Sequence, residues 1–179
     1  AWLVILIEDG PGGKPALFDG AEALVVVRSL PEVAPALAAL DAARARGKWV
    51  AGWISYEAGY AFEPRLDALM PENAGPLLVF GIFDAPQDPT QAFADAAAQS
   101  NGVAVAALDP MISRADYNTA MAAVMGYIAA GDCYQINLTF PIASRLLSGT
   151  ALGLYGALRA RQAVGHGAVV DFGGTHADV

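Results

Sequence analysis

Apolar and polar side chains alternate from residue 131 to residue 140 (GDCYQINLTF). Tyr134, Ile136, Leu138 and Phe140 fall on one side, and Cys133, Gln135, Asn137 and Thr139 on the other. A period of two is that of a strand, so the run predicts a strand with its first face in a core. Its second face is polar yet carries no charge. Uncharged hydrogen-bonding groups in a row fit a pocket wall or a sheet buried on both sides. They also fit a strand of an antiparallel sheet with one wetted face. The residues before it read as the best amphipathic helix of the chain. Ser113 caps it, Asp116 stands at the reach-back position of a capping box, and Gly131 stops it. Tyr117, Met121, Val124, Met125 and Ile128 form its apolar stripe.

The same reading runs along the rest of the chain. Residues 2–7 predict a buried strand closed by the turn DGPGG. A short extended piece at 16–18 follows, then a turn at Asp19-Gly20 and a β-branched strand over 23–28. Pro31 opens a helix whose rows are Val33, Leu37, Leu40 and Arg44, and Gly47 ends it. Residues 48–55 return as a strand, and 77–83 (LLVFGIF) form one apolar enough to be buried on both faces. Residues 90–100 read as an alanine-rich helix or loose segment with little to bury. An alternating strand is expected over 102–108, a helix over 151–161 and a strand over 168–172. A turn at Gly173-Gly174 then leads to a possible paired strand at 175–179. The order strand, helix, strand marks a mixed α/β chain. The shift to Pro, Asp and low complexity places a boundary near Asp109-Pro110.

Composition narrows the classes. The 179 residues are 55% hydrophobic and 16% charged, with a net charge of −8. So little charge suggests that part of the surface is covered by something else. No basic cluster marks a nucleic-acid partner, and no apolar run approaches the ~20 residues of a membrane span. The first residues, without a basic leader, read as a strand rather than a signal peptide. The alanine start implies a removed initiator methionine or trimming. A lone cysteine, Cys133, rules out an internal disulfide and fits a reducing compartment.

Candidate chemistry is sparse. Glu57 and Glu63 in SYEAGYAFEP are near enough in sequence to serve as an acid and a base, or to bind a metal, but no ligand-spaced His or Asp accompanies them. The structural reading of this pair is preferred. His166 and His176 fit a cross-strand surface pair, and a Cys133–His166 dyad is conceivable without anything placing the two together. There is no phosphate loop and no zinc pattern.

Several stretches together resemble a known family: FDGAEAL, GWISYEAGYAFEP, MISRADY, YIAAGDCYQINLTF and DFGGTH. They are similar to component I of aminodeoxychorismate synthase, the chorismate-using subunit of the para-aminobenzoate branch of folate synthesis. Anthranilate synthase component I and the isochorismate and salicylate synthases are its sisters. The run GDCYQINLT is the most specific piece, since the aminodeoxychorismate branch favours QVNLT where anthranilate synthases favour QVVLS.

The resemblance implies an α+β fold of antiparallel sheets packed face to face with flanking helices. It implies an amino-terminal subdomain over 1–109 and the start of an incomplete chorismate-binding domain over 110–179. Family members are more than twice as long, and their PIKGT lysine and magnesium-binding glutamates have no counterpart here. The expectation is therefore a truncated gene product that does not turn over chorismate alone, with no complete catalytic set and no metal ligand in the chain. Magnesium, chorismate, a glutaminase subunit supplying ammonia, the missing carboxyl-terminal half and a cytoplasmic location are implied for the whole enzyme. Isochorismate-forming sisters carry a water-activating lysine where Gln135 stands, whereas aminating members carry glutamine. An amide is no general base near neutrality but can hold a substrate by hydrogen bonds. Gln135, with Asn137 and Thr139 beside it, is thus the expected substrate-binding group. The family's tryptophan pocket is not expected here, because QAVGHGAVV (162–170) lacks the prolines of the matching stretch and ALFDG lacks its serine. Two other readings stand beside this one: a non-catalytic module that binds an amino acid or a partner subunit, and the anthranilate branch.

Overall fold

The computed structural model describes residues 3–71, 74–162 and 164–172. The expectations for Trp2, the Gly173-Gly174 turn, the 175–179 strand and His176 lie outside the described residues. In chain order the elements are β1 (Val4–Ile7), β2 (Ala16–Phe18), β3 (Ala23–Val27), α1 (Leu30–Ala45), β4 (Trp49–Ile54), β5 (Leu78–Phe83) and α2 (Thr90–Gln99). They continue with β6 (Ala104–Val105), β7 (Asp109–Pro110), α3 (Arg114–Ala130), β8 (Ile142–Ala143), β9 (Leu146–Ser148), α4 (Ala151–Arg159) and β10 (Ala168–Asp171). Two 3-10 segments, Tyr56–Phe62 and Pro64–Leu69, follow β4; the Gly- and aromatic-rich stretch there gave no periodic signal.

The chain forms two compact units. One is Ala1–Asn101 with Ala151–Val179, and the other is Gly102–Thr150. In sequence the second is inserted into the first, and the 109/110 junction lies inside β7.

The first unit holds two antiparallel sheets, ordered β10-β1-β2 and β3-β5-β4. Leu3, Ile5, Ala16 and Phe18 from the first sheet meet Ala51 and Phe83 from the second, so the sheets pack face to face. Phe18 and Phe83 lie 5.3 Å apart at a tilt of 55°. Burying each such side chain contributes about 1.5–3 kcal/mol. Helix α1 covers the outer face of the second sheet through Val33, against Val27, Leu77 and Leu78. Helices α2 and α4 cover the outer face of the first, where Ala96 and Tyr155 pack with Leu6. The layers are therefore helix pair, sheet, sheet, helix, and the α+β architecture expected from the sequence is the one observed. Strand β5 is central, with Leu78, Val79, Gly81 and Phe83 buried, which explains its nearly continuous apolar run.

Helix α2 packs more closely than its composition announced. A Cβ on Gly156 of α4 would run into the Ala96 carbonyl, so the two helices touch through small residues. Small side chains let backbones approach, and hydropathy does not register that.

In the second unit, α3 begins as expected: Ser113 Oγ accepts from Asp116 N–H at 3.0 Å and donates to Asp116 Oδ2 at 2.6 Å. Two short ladders accompany it, β6 with β9 and β7 with β8. The strand expected over 102–108 is reduced to Ala104–Val105, with a register irregularity between them. None of the described residues of this unit is buried.

Candidate functional site

The chain leaves α3 through Gly131, whose φ of 81° is left-handed. Gly131 N–H donates to the Ile128 carbonyl and Asp132 N–H to the Tyr127 carbonyl, both at 3.1 Å. This double closure is the Schellman arrangement, and glycine provides it without a Cβ penalty.

Residues 131–140 form no strand, contrary to the expectation from their alternation. They run irregularly to β8, and no described strand pairs with them. Nor do Tyr134, Ile136, Leu138 and Phe140 enter a core. Tyr134 is 97% exposed and Ile136 38%, while Leu138 and Phe140 are half-buried. The physical reason is that alternation sorts side chains into two sides but cannot supply the neighbouring strand or the covering layer. Among the described residues of this unit neither is present.

The three expected substrate-binding residues, Gln135, Asn137 and Thr139, are exposed. Gln135 Nε2 donates to Asn137 Oδ1 at 3.5 Å, the long limit of a hydrogen bond. This contact leaves the Gln135 carbonyl oxygen and the Asn137 amide available to a ligand. Cys133 is a free, half-buried thiol. Phe140 turns back to the start of α3, where its ring meets Tyr117 edge-on at 5.7 Å. Beside that pair a cavity of 290 Å³ is lined by Pro110, Ile112, Ser113, Arg114, Tyr117 and Phe140. The unit therefore displays an uncharged polar row and, at the other end of the same run, an aromatic hollow with one guanidinium.

Of the remaining candidates, Glu63 and His166 are engaged in structural pairs, whereas Glu57 is not paired with Glu63. Glu63 is held in a fork by Arg65, with contacts of 2.9 and 3.0 Å, and these bonds hold its carboxyl below the usual range. His166 Nδ1 lies 2.7 Å from Asp9 Oδ2, and Cys133 belongs to the other compact unit. Lys48 Nζ donates to Glu22 at 2.5 Å and Asp84 at 2.6 Å; the Asp84 bond, then the Glu22 bond, raise its pKa. No three His, Cys, Asp or Glu among the described residues lie together as metal ligands.

One cluster escaped the sequence reading. Tyr155 on α4 donates to Glu8 Oε1 at 2.5 Å, and Arg159 Nε donates to the same oxygen at 2.9 Å. The Arg159 guanidinium also lies 4.4 Å from the centre of the Phe93 ring. The one available signal was a lone glutamate ending an apolar strand.

No described helix is long and apolar enough to cross a membrane. Among known proteins, a family model described as chorismate binding enzyme matches residues 16–177, which include residues of both compact units. No curated protein and no solved structure matches the chain. With most of its length matched, this chain belongs to the family of chorismate binding enzymes.

Proposed function

We propose that this chain is the amino-terminal portion of an aminodeoxychorismate synthase component I, acting in the cytoplasm. In the whole enzyme, ammonia from a glutaminase subunit replaces the chorismate hydroxyl and gives 4-amino-4-deoxychorismate. The observation that carries the reading is Gln135 in the exposed row with Asn137 and Thr139. The row offers amide and hydroxyl groups to a polar substrate and no group able to take a proton from water. That chemistry favours amination over hydration. Gln135 binds and orients, Asn137 steadies it, and Thr139 adds a hydroxyl. Magnesium, which in this reading holds the substrate carboxylate, finds no ligand set among the described residues.

The test is a substitution series at Gln135 in the complete polypeptide, assayed with chorismate and ammonia. Gln135→Ala is expected to lower kcat/KM by ten- to a hundred-fold, on the order of the 1.4–2.8 kcal/mol a substrate-held hydrogen bond supplies. Gln135→Lys is expected to divert product towards isochorismate. Unchanged rates and products in both variants would remove Gln135 from the site. The 179-residue chain alone is expected to show no turnover.

A further inference from the structure

Strand β4 lies at the end of its sheet. Strand β5 pairs with one side of it, and among the described residues nothing pairs with the other. A cavity of 400 Å³ touches Trp49, Val50, Ala51 and Gly52 in succession, between Ile7 and Phe80. Successive strand residues point to opposite faces, so a hollow reaching four in a row lies along the strand's edge. Among the described residues the edge carries none of the usual protection. From Trp49 to Ile54 the sequence is WVAGWI, without charge or proline, and Trp49 and Ile54 are 39% and 52% exposed. Lys48, the nearest cation, is held back by Glu22 and Asp84.

Charge on the two flanks identifies the occupant. The chain entering β4 is basic, with Arg44, Arg46 and Lys48, and the chain leaving it is acidic, with Glu57 and Glu63. Arg44 is paired with Asp41, and Glu63 with Arg65. Arg46 and Glu57 have no ion-pair partner among the described residues. An edge that is basic at one end and acidic at the other complements itself when reversed. We propose that β4 pairs antiparallel with β4 of a second copy, about a twofold axis near Ala51 and Gly52. This joins the two β3-β5-β4 sheets into one and brings the end of β4 that follows Arg46, at the close of α1, towards the end that precedes Glu57, in the 3-10 segment, of the other copy. A parallel pairing would set like charges together.

The test is sedimentation velocity on the whole 179-residue chain over a wide range of concentration. A monomer–dimer equilibrium is expected. Arg46→Glu or Glu57→Arg alone should raise the dimer dissociation constant about tenfold, because two symmetric contacts become repulsive, and the double variant should restore it. Trp49→Lys, a charge on the edge itself, should leave only monomer. Circular dichroism checks the fold of each variant, and Trp49→Lys decides if a reversal variant fails to fold. A monomer at every concentration overturns the proposal. So does a dimer indifferent to these substitutions, which would form through another surface such as α3, or one that the double variant fails to restore.

Discussion

Tyr155 and Glu8 show how much one contact can tie together. Glu8 follows β1, Tyr155 lies 147 positions later on α4, and their bond fastens the helix to the sheet it covers. Tyr155→Phe should cost about 1.5–3 kcal/mol in urea unfolding, the value of a hydrogen bond to a charged acceptor. Burial, and then the bond to Glu8, push the Tyr155 hydroxyl pKa well up from its usual value. A raised folded-state pKa stabilises the protein fully below the unfolded value of about 10, and that contribution is lost as pH rises beyond it. Stability above that pH should therefore fall more steeply in the parent than in Tyr155→Phe, as denaturation at a series of alkaline pH values will show. A parallel slope would contradict the coupling. A lone glutamate ending an apolar strand hinted that Glu8 has a partner, but not which one, because spacing reports neighbours along an element and not across 147 positions. Gln135 was legible as a chemical type, and its exposure was not, since exposure depends on what else packs nearby.

At the scale of elements, legibility followed locality. The start of α3 was readable because Ser113 and Asp116 are three residues apart and satisfy each other. Its end was readable because Gly131 must take a left-handed φ. Ser113→Ala should lower stability by about 1 kcal/mol. Gly131→Ala should cost a further 1–2 kcal/mol, about the penalty of a Cβ in left-handed backbone. Both are measurable as loss of helical ellipticity on heating. The strands of the first unit were readable because their apolar faces do find a second layer. The 131–140 run has the same alternation, and it stays irregular because a ladder needs a partner strand that alternation does not encode. The contact between α2 and α4 was hidden for a different reason: alanine and glycine carry little hydropathic signal but permit close approach. Gly156→Val, which drives a side chain into the Ala96 carbonyl, should destabilise the first unit by about 1–3 kcal/mol.

For the whole molecule, the two units differ in kind. The first encloses three apolar clusters. The second buries no described residue and leaves Met125 57%, Tyr127 54% and Leu147 61% exposed. Burial is what makes opening costly, so the units should differ in local stability. Hydrogen exchange should find the amides of α3 freely exchanging while those of β5 remain protected, and equal protection would show that the second unit is held by something further. That exposed unit also carries the Gln135 row, so the proposed substrate contacts face outward. The most direct measurement is the product formed from chorismate and ammonia by the complete polypeptide that contains this chain, identified by mass spectrometry. Amination of chorismate held by Gln135 predicts 4-amino-4-deoxychorismate; anthranilate with pyruvate, or isochorismate, would contradict it.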